Sequence, residues 1–75
     1  MKLDEFIEAF AAEFDDTPEE EFKAETKFKE LDEWSSLTAL SIISMVDDQF
    51  DKNITGADIR SSETIEDLYN LIIEK

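Results

Sequence analysis

Leu3, Phe6, Ile7, Phe10 and Phe14 recur at helical spacing, with Asp4, Glu5, Glu8 and Glu13 between them. This single apolar stripe predicts an amphipathic helix over residues 3–14. Its polar side is acidic rather than basic, which favours a core-facing helix over one lying on a membrane surface. The pattern then breaks. Thr17-Pro18-Glu19-Glu20 has the form of a capping box with proline at the first helical position, enough for one turn. Phe22, Phe28 and Leu31 follow at irregular spacing among charges, so residues 15–34 read as a long loop pinned to the core by those three side chains. Loops of this length are unusual in a small domain and often functional.

A second helix is predicted over Ser36–Phe50, with Ser35 as its N-cap. Ala39, Ile42, Ile43, Val46 and Phe50 are spaced for its buried face, and Leu37, Leu40 and Met45 fall off that face. A helix that is apolar on more than one side usually has a partner. Asp47, Asp48 and Asp51 crowd its C-terminal end, against the preference of the helix dipole for cations there. Thr55 with Asp58 caps a short helix at about 56–61, and Thr64 with Asp67 caps a last one over 65–74, facing inward with Ile65, Leu68, Tyr69 and Ile72. The fold class expected is all-α: a small four-helix bundle, three main helices plus one short helix, with a long first loop.

The length of 75 residues fits one domain, 1–75, whose core is thin because a chain this small buries only about 60% of its unfolded surface. The hydrophobic fraction of 41%, with six Phe, still suffices for a core. The absence of Cys and His removes disulfides, thiolate metal sites and the usual nucleophile–base pairs, so neither an enzyme nor a zinc site is expected. With 21 acidic against 7 basic residues, the net charge of −14 repels phosphate backbones and anionic membranes. It attracts partners with basic patches instead. No segment has the charged start and apolar run of a signal peptide or the length of a membrane span, so a cytoplasmic protein is expected.

Asp51, Asn53, Thr55 and Gly56 occupy the first, third, fifth and sixth positions of an EF-hand calcium loop. The match fails where geometry is strictest: the twelfth position is Ser62 instead of a bidentate Glu, and the apolar eighth position is Asp58. No metal site is expected.

The chemistry-bearing stretch is Glu33-Trp34-Ser35-Ser36-Leu37-Thr38-Ala39-Leu40. No residue type here would deprotonate Ser36 as a histidine would, so it is a poor nucleophile for catalysis by this chain itself. A serine in the first turn of a helix is, however, well placed to carry a phosphate, because free backbone N–H groups and the dipole favour an anion there. Read alone, Ser35 and Ser36 are capping residues.

The ordered set of features resembles the acyl carrier protein family. An amphipathic helix, a long acidic loop, a Ser-Leu pair opening an apolar helix, Asp47-Asp48, Phe50-Asp51, a short helix and a last helix follow one another without a gap. The resemblance implies that Ser36, followed by Leu37, carries 4′-phosphopantetheine as a phosphodiester. A phosphopantetheinyl transferase would add it from coenzyme A, and its thiol would hold acyl groups as thioesters. It also implies partner binding by Leu37, Leu40, Asp47, Asp48 and Ile59, with acyl-transferring and condensing enzymes bearing basic patches as partners of a monomeric carrier. Ser35 replaces the Asp usual before the modified serine, Trp34 stands where a small residue is frequent, and Thr38 and Ser41 stand where acids are common. These departures favour a carrier dedicated to one pathway over a general fatty-acid carrier. A peptidyl or aminoacyl carrier is the nearest alternative, and an acidic helical interaction module without a prosthetic group is the alternative from another class.

Overall fold

The computed structural model describes residues 2–75. Four α-helices are present, α1 over Leu3–Ala11, α2 over Ser36–Phe50, α3 over Gly56–Ser61 and α4 over Ile65–Ile73, and no strand occurs among the described residues. Helix α1 packs on α2 and α4, and the short α3 bridges α2 and α4. This is the bundle of three main helices and one short helix that the periodicity predicts.

The core is built from the expected stripes. Phe6 and Phe10 of α1, Ile42 and Val46 of α2 and Ile65, Leu68 and Ile72 of α4 are fully buried. Met45 is buried as well, against the expectation that it lies off the inner face. Helix α2 is covered by α1 and by α3, so its apolar band is wider than a single stripe. An unbranched thioether fills such an irregular gap readily.

Helix α1 ends at Ala11, three residues earlier than its stripe suggests. Glu13 N–H and Phe14 N–H donate to the carbonyls of Phe10 and Ala11, so the chain tightens into i→i−3 turns. Phe14 nevertheless stays buried at the end of the stripe. The loop beyond it holds two 3₁₀ turns, Glu19–Glu21 and Phe28–Glu30, where the sequence suggests only the first. Thr17 does not cap the first turn; Pro18 occupies that place, and the Thr17 hydroxyl donates to Glu33 instead.

Phe22 and Phe28 are buried and Leu31 is half-buried, so the three residues expected to pin the loop do so. Two backbone bonds add to this. Ile65 N–H and Glu66 N–H donate to the carbonyls of Thr26 and Ala24. They are orphan donors of the first turn of α4, and the loop satisfies them. Thr64 and Asp67, and likewise Thr55 and Asp58, form the expected reciprocal boxes at the starts of α4 and α3.

Helix α2 closes with Asp51 in the left-handed region at φ 55°. Asp51 N–H and Lys52 N–H reach back to the carbonyls of Asp47 and Val46, satisfying the last turn.

Candidate functional site at the start of helix α2

Ring contacts lead from the core to the site. Phe10 meets Phe28 edge-on at 5.4 Å, Phe28 meets Trp34 edge-on at 5.0 Å, and Trp34 stacks on Phe14 at 6.5 Å. Trp34 is therefore half-buried and fixed, and the chain leaves it directly into α2.

Glu33 fixes the same point from the other side. Its carboxylate accepts hydrogen bonds from the N–H groups of Asp15 and Asp16, at 3.2 and 2.9 Å, and from the Thr17 hydroxyl at 2.5 Å. The Thr17 hydroxyl, then the amides of Asp16 and Asp15, hold its carboxyl below the usual carboxylate range, against the opposing effect of burial. Its backbone carbonyl accepts from the Thr38 hydroxyl at 2.9 Å. The role of the Glu33 carboxylate is not visible in the sequence, because its partners lie 16 to 18 residues upstream.

The local start of the helix follows the sequence. Ser35 is extended, and its hydroxyl oxygen accepts the Thr38 N–H at 3.3 Å as an N-cap does. Ser35 and Thr38 also join through their hydroxyls at 3.2 Å. Thr38, which stands where the family resemblance expects an acid, thus serves the cap.

Ser36 is the first residue of α2 and is exposed, and its hydroxyl makes no hydrogen bond among the described residues. The other serines differ. Ser35 is the cap, Ser61 and Ser62 donate to the Asp58 carbonyl, Ser41 is half-buried, and Ser44 is exposed in the middle of α2. Ser36 alone combines a free hydroxyl with the unpaired N–H groups of a first helical turn.

A groove of about 420 Å³ opens beside it, lined by Lys29, Trp34, Ser35, Ser36, Ala39, Gly56, Ile59 and Arg60. None of these is acidic, although the whole chain carries a net charge of −14. The first turn of α2 holds no acid either. A phosphoryl group on Ser36 fits this surrounding: N–H donors in front, two cations beside it and no carboxylate in the lining. A larger groove of about 720 Å³ lies elsewhere, between α1 and the end of α2, and includes Glu5 and Glu8.

A family model described as phosphopantetheine attachment site matches residues 5–72. The chain belongs to the phosphopantetheine attachment site family. Members of this family attach 4′-phosphopantetheine covalently to a serine and act as carriers rather than catalysts. The chain is accordingly a phosphopantetheine carrier protein that works with a phosphopantetheinyl transferase and with pathway enzymes. Comparison with curated proteins and with solved structures finds no match.

Of the residues expected to meet partners, four lie on the surface of the carrier. Leu37 is 77% exposed and Leu40 62%, and Asp47 and Asp48 are exposed at the far end of the same helix. Ile59 is placed otherwise. It is 3% exposed in the core and contributes to the lining of the groove, so it offers a docking enzyme almost no surface. Its burial follows from α3 leaning on both α2 and α4.

Two of the residues that match a calcium loop are helix caps: Asp51 ends α2, and the Thr55 hydroxyl accepts from Asp58 N–H at 3.2 Å. Asp58 is held below the usual carboxylate range, first by the Thr55 backbone N–H and also by Lys75, whose ammonium lies 3.2 Å from it. No group of three or more metal-ligating His, Cys, Asp or Glu side chains gathers among the described residues. None of the described helices is long and apolar enough to cross a membrane.

Proposed function

We propose that Ser36 is the attachment point and that the protein is an acyl carrier, delivering acyl groups to the enzymes of a dedicated biosynthetic pathway. The observation that carries this reading is the free Ser36 hydroxyl at the first turn of α2, beside a groove without acids. The prosthetic group supplies a thiol on a long arm, which holds an acyl group as a thioester.

The chain's own residues do the rest. Ser35, Thr38 and Glu33 fix where α2 begins, and so where the Ser36 oxygen stands. The N–H groups of the first turn favour the negative charge of a phosphodiester. Leu37 and Leu40 lie one turn apart and exposed, and Ser44, Asp47 and Asp48 continue the same side of the helix at spacings of three and four. This face offers an apolar contact near the serine and negative charge farther along. Such an arrangement steers basic partners into fast, weak docking. Tethering then raises the effective concentration of the cargo at each partner.

A peptidyl or aminoacyl carrier shares the modified serine and differs in cargo. The strong acidity of the chain leans toward the acyl type. The reading is tested by incubation with coenzyme A and a broad-specificity phosphopantetheinyl transferase, followed by intact mass. A gain of one phosphopantetheine in the wild type and none in Ser36→Ala is expected. No gain with an active transferase would leave the acidic interaction module as the better account.

A further inference from the structure

We infer that Lys29 and Arg60 form a cationic seat that draws the phosphate of a Ser36-borne arm back onto the groove lined by Trp34, Ala39 and Ile59. The inference rests on the carrier reading with Ser36 as attachment point.

Charge placement is the first ground. The chain has only seven basic residues against 21 acidic ones, yet two cations and no acid line the groove that adjoins Ser36. Lys27 pairs with Glu63 and Lys75 with Asp58; neither Lys29 nor Arg60 has a carboxylate partner among the described residues, and of the unpaired cations these two are the ones that share the groove with Ser36. Two cations brought together without a counter-charge repel each other, and an anion between them removes that cost. The occupant that fits is a phosphodiester, because the adjacent serine is where one would be bonded.

The second ground is how the two cations are held. The Lys29 ammonium donates to the Arg60 carbonyl at 2.9 Å, which fastens the second 3₁₀ turn of the loop to α3. The Arg60 guanidinium lies close over Gly56. Gly56 has no positive φ, so its backbone does not require glycine. A Cβ built there would lie 3.3 Å from Arg60 Nη1. The bare Cα of the chain's one glycine therefore leaves space for the guanidinium to lie against the start of α3, on the groove side. A planar guanidinium suits phosphate oxygens better than a point charge does, and the Lys29 ammonium keeps N–H groups beyond the one given to the Arg60 carbonyl.

The third ground is the lining between the cations. Trp34, Ala39 and Ile59 give it apolar surface on which the arm's carbon chain can rest. The seat thus holds two states of the arm in balance: laid back on the groove, and extended toward an enzyme docked on Leu37 and Leu40. The attraction is between exposed charges, so salt weakens it, the Debye length falling from about 10 Å at 0.1 M to about 3 Å at 1 M.

The test uses wild type, Arg60→Gln, Lys29→Gln and Gly56→Ala, each converted with coenzyme A and a transferase and checked by intact mass. Proton–nitrogen correlation spectra are then compared before and after loading. In the wild type, loading is expected to move the Trp34 indole signal and the Ala39 and Ile59 amides, with nuclear Overhauser contacts between the arm's methyl groups and the Trp34 ring. Arg60→Gln and Lys29→Gln should each at least halve those shifts, Gly56→Ala should reduce them, and near-molar salt should do so in the wild type without any substitution. Complete loading by mass, with shifts confined to residues 35–37 and insensitive to both substitutions and salt, would overturn the inference alone. Failure of the wild type to load would overturn the attachment reading, and this inference with it.

Discussion

The Thr17 hydroxyl donates to the Glu33 carboxylate at 2.5 Å, joining the start of the long loop, just ahead of its first 3₁₀ turn, to the residue two places before the cap of α2. With the amides of Asp15 and Asp16 on the same carboxylate, this contact closes the long first loop on itself. The start of α2 is held by that closure as well as by its own cap.

Glu33 gives the first prediction. Its carboxyl is held below the ordinary range in the folded protein, so the unfolded chain binds the proton more tightly. Its contribution is present above the unfolded pKa and is lost as pH falls through the lower folded value. Acidification also relieves the self-repulsion of a chain at −14, so the raw pH profile mixes two effects. The difference between wild type and Glu33→Gln isolates one of them. Glu33→Gln should melt at a lower temperature at neutral pH, and the gap should close as pH drops below the carboxylate range. A gap that is constant with pH would show that the ionised carboxylate is not what holds the loop.

Phe28 gives the second. It is fully buried, and its ring contacts both Phe10 and Trp34, so it joins the loop to the core. Phe28→Ala should cost about 3–5 kcal/mol, the usual range for deleting a buried aromatic ring. A domain of 75 residues has a stability of about 4–11 kcal/mol, so this variant should lose a large share of it and unfold at a much lower urea concentration. Urea denaturation of Phe28→Leu, which keeps most of the apolar volume, should show a much smaller loss.

The sequence makes the helices legible because their signals are local. The stripe of Phe6, Phe10 and Phe14, the Ser35 cap, and the Thr55–Asp58 and Thr64–Asp67 boxes each lie within a few residues. What it does not reveal is settled by distant partners. Thr17 resembles a local cap, yet Glu33 takes its hydroxyl from 16 residues away. Met45 is buried because α1 and α3 cover two sides of α2, which no pattern within α2 records. At the site, the position and cap of Ser36 are readable, while the groove is not. Its cations Lys29 and Arg60 are 31 residues apart and meet only through the fold. The burial of Ile59 has the same origin.

Asp51 gives the third prediction. It ends α2 at φ 55°, where a Cβ is unfavourable, and it adds negative charge at the negative end of the helix dipole. Asp51→Gly removes both effects and adds freedom to the unfolded chain. The net expected change is a gain of about 1 kcal/mol by chemical denaturation. A loss of stability would mean that the Asp51 side chain makes a favourable contribution that outweighs its strain.

The acidic end of α2 gives the fourth. Asp47→Lys with Asp48→Lys should slow loading by a basic-patched transferase at low salt and leave the difference small at high salt, because the effect acts through exposed charges. Loading rates measured across a salt series check it. A rate unchanged at low salt would remove this pair from the docking face.

The most direct measurement is the position of the adduct. After loading with coenzyme A and a transferase, the protein is fragmented and the phosphopantetheine located by tandem mass spectrometry, with Ser35→Ala and Ser36→Ala alongside. The added mass is expected on Ser36 and is retained in Ser35→Ala, which loses about 1 kcal/mol of capping energy and keeps the Ser36 hydroxyl. No adduct is expected in Ser36→Ala, whose circular dichroism should match the wild type. An adduct on Ser35 or Ser44, or a Ser36→Ala protein that still loads, would contradict it.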